Sequence, residues 1–482
     1  MKILFTSAEV EPFAKSGGLG DVIGALPKAL AKNKNYDIRV VMPKYSVIPA
    51  KYMEKMQYMG YFYTDLNWRH KYCGVFQLIE DNVTYYFLDS EYYFNGQMYC
   101  FADLERFSFF SKACLDLLSF LDFKVDVIHA NDWSSALVPV YLSTYRHSQL
   151  YKDIKTIFTI HNLKYQGRYP IEEVKDITGL HSSFFTSDKL EFYGEANLLK
   201  GGICYADKVT TVSPTYAKEI MTPSYGEGLD QLLSARDTSG DVVGILNGLD
   251  YTRNSPAKDT LITKKYNIKS MENGKALCKK ALQERLHLPI DKDVALVGVV
   301  SRMVDQKGFD LIGEVLEQMV QRNVQLVFLG TGEKRYEDMF RWYADKYPSK
   351  VSACITFSNE LSHAIYSASD IFLMPSIYEP CGLSQLIAMK YGSIPVVRET
   401  GGLKDTVISL NEETNEGSGF TFARVDAIDM LYTFDRALRI YYDKKDSFIA
   451  MQKRDMALNY SWNRSRAEYV RLYRSIIPKR KK

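Results

Sequence analysis

The chain has 482 residues, 46% of them hydrophobic, which is enough for about two to four domains with large cores. A net charge of +3, spread along the chain, gives no support to a nucleic-acid role. Seven scattered cysteines without a C-x-x-C pair argue against disulfides or zinc and for a reducing, cytoplasmic setting.

The first predicted strand is 2–6, followed by "AKSGGLGDV" at 14–22 and a helix carrying Val22, Ile23, Leu26, Ala29 and Leu30 at helical spacing. A glycine turn between strand and helix offers free backbone N–H groups and the positive end of a helix dipole, and Lys15 adds a charge. Together they suit an anion such as a phosphate. Asp21 falls in the first helical turn, where the dipole favours an acid without any ligand. Glu9 and Glu11 stand where a secretion signal would be apolar. No apolar run approaches the ~18 residues of a membrane span, so no membrane partner is expected.

Further strands are expected at 37–42, 83–88, 125–129, 156–160 and 208–212. The stretch 243–292 is less strand-like, with a helix near 272–286. The pattern then restarts with strands at 294–300, 324–329, 353–357, 370–374 and 394–397. Continuous apolar runs alternating with helical segments imply parallel sheets buried on both faces. The expected fold is α/β with two Rossmann-like doubly wound domains, 1–243 and 244–460, and a deep interdomain cleft. "TGGLKDTV" at 400–407 echoes "SGGLGDVI" at 16–23. The last stretch, 461–482, predicts a helix with Trp462, Tyr469, Leu472 and Tyr473 on one face. Its basic end, "PKRKK", reads as a solvated terminus.

Ligands of open α/β sheets bind outside the carboxyl ends of the strands. Those ends carry Lys15, Asp132, His161 with Asn162, Arg302 with Lys307, the "GTGE" turn after 324–329, and Glu379 in "PSIYEPCGLSQ". Three cations, Lys15, Arg302 and Lys307, suit a diphosphate that gains charge as it leaves a carbon atom. A metal route would need paired acids at that end. The D-x-D triplet Asp291-Lys292-Asp293 instead precedes a strand, so no metal or other cofactor is expected. A nicotinamide dehydrogenase fits poorly, because the turn reads G-G-L-G and the second strand ends in Met42-Pro43-Lys44 without a ribose-binding acid.

"AKSGGLGDVIGALP", "HANDWSSALVPVYL", "TIHNLKYQG", "VTTVSPTYAKEI", "GILNGLD", "VSRMVDQKGFDL" and "PSIYEPCGLSQLIAMKYGSIPVVRETGGLKDTV" resemble bacterial glycogen synthases and plant starch synthases, in order along nearly the whole chain. The resemblance implies a GT-B architecture. It implies transfer of glucose from ADP-glucose to the non-reducing 4-OH of an α-1,4-glucan, with retention of configuration. It places Lys15 on the donor diphosphate, with Gly18 and Asp21 nearby, and Arg302 and Lys307 on the distal diphosphate. Glu379 would face the donor glucose, and the backbone of Cys381, Gly382, Leu383 and Ser384 would approach its hydroxyls and phosphate. His161 would line the glucose pocket with Asp132, Asn162 and Asn247 close by, and Phe357 would stack near the adenine. The final helix would return to the N-terminal domain. Ile387 stands where other retaining families place a second acid, and Asn254 replaces the usual aromatic in "YTRNSP". No acid in the matched blocks clearly serves as a nucleophile, so the resemblance favours front-face attack over double displacement. Two other readings fit the same fold: a retaining glycosyltransferase with a different acceptor, and an inactive glucan-binding protein.

Overall fold

The structure, a computed structural model, describes residues 1–478. It divides into two compact units, one of Met1–Gly248 with the segment beginning at Trp462, the other of Leu249–Ser461. Residues 479–482, which hold most of the basic terminus and the last expected residues of the final helix, lie outside the described part.

The first unit is built on β1 (Lys2–Thr6), β2 (Asp37–Pro43), β3 (Gln57–Leu66), β4 (Arg69–Glu80), β5 (Val83–Asp89), β6 (Val127–Asn131), β7 (Lys155–Ile160), β8 (Arg168–Pro170), β9 (Glu191–Phe192), β10 (Glu195–Asn197), β11 (Lys208–Thr211) and β12 (Val242–Gly244). Nine of these form one sheet in the order β12-β11-β7-β6-β1-β2-β5-β4-β3, and β8-β10-β9 form a small separate one. The pairings from β12 to β5 are parallel, and Ile3 and Phe5 of the central β1 are wholly buried. The strand order reverses between β1 and β6, so a switch point lies there.

The parallel expectation needs one correction. β3 and β4 are an antiparallel hairpin added beyond β5, which the continuous-run criterion passes over. β3 alternates instead: Tyr61 and Tyr63 face solvent, while Thr64 and Leu66 are buried. Its inner side packs on the helix Asp103–Phe120, with Phe62 and Phe120 rings 5.6 Å apart and Thr64 Oγ1 donating to Asp116 at 2.9 Å. An edge strand with one solvated face carries a period-two pattern, not an apolar run.

The second unit holds β13 (Ala295–Val300), β14 (Val324–Leu329), β15 (Val351–Cys354), β16 (Ile371–Met374), β17 (Ile394–Arg398) and β18 (Phe420–Phe422), all parallel. Their order, β15-β14-β13-β16-β17-β18, is the 3-2-1-4-5-6 arrangement of doubly wound dinucleotide folds, with the switch between β13 and β16. Apolar residues pack on both faces of the sheet, among them Phe309, Phe328 and Phe340 on one side and Leu296, Tyr366 and Phe372 on the other. β15 begins and ends earlier than the expected 353–357, which leaves Phe357 in the following loop.

The division between units falls a few residues beyond 243, because β12 still pairs with β11. The last helix, Trp462–Ile476, belongs to the first unit, where Trp462, Tyr469, Leu472 and Tyr473 are buried. Arg466 donates to the Ala29 carbonyl at 3.3 Å, which ties this helix to the helix Gly18–Ala31.

Candidate active site

Both switch points carry polar loops, and most candidate residues fall on or beside them; Asn247 lies beyond the edge strand β12 and Phe357 beyond the edge strand β15. In the first unit, β1 leads through residues 7–17 into the helix Gly18–Ala31. Lys15 Nζ lies 2.8 Å from Asp21 Oδ1 and 3.2 Å from Glu11 Oε2. Partial burial opposes the charge on Lys15, but Asp21 and Glu11 outweigh it and hold the amine above the usual lysine range. Lys15 and Asp21 therefore form one pair across the turn. Sequence reasoning treated them separately.

It also missed Glu9. This buried carboxylate accepts from Ser16 N at 2.6 Å, Ser16 Oγ at 2.7 Å, Gly17 N at 3.1 Å and Tyr99 OH at 2.7 Å. Part of the N–H set expected to bind an anion is thus already satisfied by the chain. The first-turn N–H groups of a helix have no intrahelical carbonyl partner. A Cβ at Gly18 would meet nothing within 4 Å, whereas one at Gly20 would overlap Lys15 Cβ. Gly20 is required by packing, and Gly18 borders open space.

Across the switch, Asp132 follows β6 and His161 follows β7. Asp132 Oδ1 accepts from His161 N at 2.8 Å. Burial pushes the Asp132 carboxyl up to about 7, against the opposing pull of the His161 and Asn162 N–H groups. Burial also lowers His161 to about 3, so its ring is neutral at neutral pH. His161 Nε2 is 3.0 Å from Asn131 Oδ1. Asn162 Oδ1 accepts from Lys164 N at 3.1 Å, and Asn247 is buried with its Oδ1 unpartnered among the described residues. Beside this loop lies a cavity of about 390 Å³ lined by Trp133, Lys164, Tyr165, Gln166, Arg168 and Glu227 among others. Sequence reasoning did not single it out; the cluster of aromatic and charged residues at 164–169 was the available signal.

In the second unit, Arg302 and Lys307 follow β13, and Glu379 lies in the loop after β16. Arg302 is exposed and makes no ion pair among the described residues. Lys307 Nζ lies 2.6 Å from Glu379 Oε2, which also accepts from Ser376 Oγ at 3.0 Å. Both partners are largely buried, with side-chain exposures of 15% and 8%. Glycines let the loops around them touch: a Cβ at Gly308 would strike the Pro375 carbonyl, and one at Gly401 the Glu379 carbonyl. Cys381 is buried, Gly382 has a φ of +71°, and Leu383 precedes the helix Ser384–Lys390. Buried Arg398 was missed by the sequence reading. It donates to the carbonyls of Ser376, Ala423 and Ile377 and so holds the Glu379 loop from β17. Phe357 is 87% exposed, so its ring stacks on nothing within the second unit.

Lys15, Gly18 and Asp21 are thus brought together, as are Asp132, His161 and Asn162, and as are Lys307 and Glu379. Among the described residues, no three His, Cys, Asp or Glu side chains cluster as metal ligands, all seven cysteines are free, and no helix is long and apolar enough to cross a membrane.

The family model described as "Starch synthase catalytic domain" matches residues 2–235, and "Glycosyl transferases group 1" matches 282–450. The structure of Arabidopsis thaliana starch synthase IV catalytic domain, bound to ADP and acarbose, superposes with a TM-score of 0.91 at 32% identity, covering 99% of both chains. Sucrose-phosphate synthase from Thermosynechococcus elongatus shares the fold, with a TM-score of 0.63 at 18% identity over 98% of both chains. Two doubly wound units with polar switch points are here those of a GT-B glycosyltransferase. Glycogen synthases of Clostridium novyi and Lachnospira eligens are each 50% identical to this chain. They cover 99% and 98% of it, and the match takes in 100% and 99% of their own lengths. The chain belongs to the glycogen synthase family.

Proposed function

We propose that the chain transfers glucose from ADP-glucose to the non-reducing 4-OH of an α-1,4-glucan, with retention and without a divalent metal. The observation that carries the donor assignment is the likeness, at a TM-score of 0.91, to a starch synthase whose structure holds ADP and acarbose. Lys15 serves the diphosphate, with Gly18 and Asp21 beside it, and Arg302 and Lys307 supply further cations for it. Charge on the leaving diphosphate is then met by fixed cations. Glu379 keeps Lys307 in place and faces the donor sugar, while the Cys381–Ser384 backbone meets its hydroxyls. His161, neutral, lines the sugar site with Asp132, Asn162 and Asn247, and Phe357 offers its exposed ring to the adenine. Retention proceeds by front-face attack, with the departing phosphate taking the acceptor proton. The cavity beside Trp133 and Tyr165 has the mix of aromatic and polar groups that suits a glucan chain.

The test is incubation of purified protein with radiolabelled ADP-glucose or UDP-glucose and glycogen. Label in precipitated glucan, released by an α-1,4-specific hydrolase, is the expected result with ADP-glucose. Equal or greater use of UDP-glucose overturns the donor assignment. Transfer to another acceptor, or glucan binding without transfer, would favour the two competing readings.

A further inference from the structure

Burial favours the uncharged ring of His161, and a neutral imidazole has two tautomers that present opposite hydrogen-bonding faces. The choice between them is made by Asn131, the last residue of β6. The residue is 1% exposed, and its amide nitrogen lies 3.0 Å from the His129 carbonyl and 3.3 Å from the Thr6 carbonyl. Both are acceptors only, so the amide NH₂ must face them and Oδ1 must face away. Oδ1 faces His161 Nε2 at 3.0 Å. An amide oxygen can only accept, so Nε2 carries the proton and Nδ1 the lone pair. Nδ1 has no hydrogen-bond partner among the described residues.

The backbone of Asn131 is fastened as well. Its N–H donates to Ser135 Oγ at 2.7 Å, and Ser135 Oγ donates to the Asn131 carbonyl at 2.7 Å. Asn131 and Thr159 are register partners on the adjacent parallel strands, which fixes the separation of the loops bearing Asp132 and His161. Further along β6, His129 Nδ1 lies 2.8 Å from Tyr473 OH of the final helix, so the carbonyl that orients Asn131 belongs to a residue anchored on both sides.

We infer that Asn131 is a positioning residue. It holds His161 as the Nε2–H tautomer and thereby presents Nδ1 as a hydrogen-bond acceptor for a substrate hydroxyl. This rests on the proposed placement of His161 at the donor sugar. A site built this way favours a sugar hydroxyl that can donate, because an acceptor left unpaired once substrate excludes water would be costly.

The test uses the full chain labelled with ¹⁵N-histidine, with His161→Gln identifying the His161 resonances. At neutral pH the unmodified protein is expected to show the Nε2–H pattern at His161. A Nδ1–H pattern overturns the inference, with no variant or substrate needed. In Asn131→Ala the tautomers should mix, and kcat should fall about 10-fold or more with a smaller change in glucan KM. Asn131→Asp keeps an oxygen towards Nε2, and its carboxyl, when protonated, can donate to one of the two carbonyls. It should retain the Nε2–H pattern and recover most of the lost kcat. Equal losses in the two variants, with His161 unchanged in both, would reduce Asn131 to a packing role and overturn the inference. Absence of transfer by the unmodified protein would count against the proposed function and leave the tautomer result standing.

Discussion

Lys307 and Glu379 come from loops on either side of the second switch point and meet in a 2.6 Å ion pair that is mostly shielded from water. Ser376 Oγ supports the same carboxylate oxygen. A cation assigned to the diphosphate and an acid assigned to the sugar are thus one unit. Their effects on the reaction should not be separable.

Glu379→Gln is expected to lower kcat about 10²-fold, far more than it raises donor KM, because it removes charge where charge develops. Lys307→Gln should also be severe. The double variant should cost clearly less than the sum of the two, because each single change leaves the other group without its partner. Additive losses in a kinetic double-mutant cycle would mean that the two residues act independently.

Lys15→Ala should leave the fold intact. Its ion pairs are over a third exposed at the lysine, and such pairs contribute no more than about 1 kcal/mol. The loss should appear in donor use, as about 2–4 kcal/mol in kcat/KM with ADP-glucose. Thermal melts beside steady-state kinetics check both halves, and near-normal kinetics would remove Lys15 from the phosphate site.

The two glycines of the same turn should behave oppositely. Gly18→Val has room in the protein and should fold, but it should block backbone approach to the donor and abolish transfer. Gly20→Ala forces a Cβ onto Lys15 Cβ and should lower the melting temperature. The comparison requires only melts and activity; a destabilised Gly18 variant would show that its role is packing.

Asp132 gives a pH prediction. Its carboxyl stands at about 7 in the folded chain, above its ordinary 3.8. A raised carboxyl contributes stability that is fully present below about 3.8 and is lost as pH rises through about 7. Asp132→Asn lacks that dependence. Relative to the unmodified protein it should therefore gain stability between pH 5 and pH 8, as read by urea unfolding at each. His161 works in the opposite sense, with its contribution present above 6.5 and lost as pH falls through about 3. It is shared by both proteins and cancels in the comparison. A difference that does not change with pH would place the Asp132 carboxyl in its ordinary range.

Transfer should continue after exhaustive EDTA treatment, with the cations of Lys15, Arg302 and Lys307 taking the role of a metal. Activity that is lost and then restored by magnesium or manganese would show that those cations do not suffice.

The sequence by itself determined the α/β class and the two-unit plan, and it placed the candidate residues on loops at the carboxyl ends of the strands. Parallel strands buried on both faces leave continuous apolar runs, and the residues just after them must line the carboxyl edge wherever the sheet lies. The motif blocks added the family, because long ordered matches over nearly the whole chain are hard to reach by chance. Only the tertiary structure decided which of those residues meet. The hairpin β3–β4 escaped notice because a half-solvated edge alternates. Glu9 escaped because its partners, Ser16 and Gly17, are seven and eight residues on and joined to it through a turn. Arg398 and Asn131 escaped because each looks like an ordinary strand residue until its neighbours across the sheet are known. The pairing of Lys307 with Glu379 spans 72 positions and is set by strand order at the switch point. Local spacing carries information over a turn or two of chain, whereas hydrogen bonds between loops of different strands depend on which strands the fold makes neighbours.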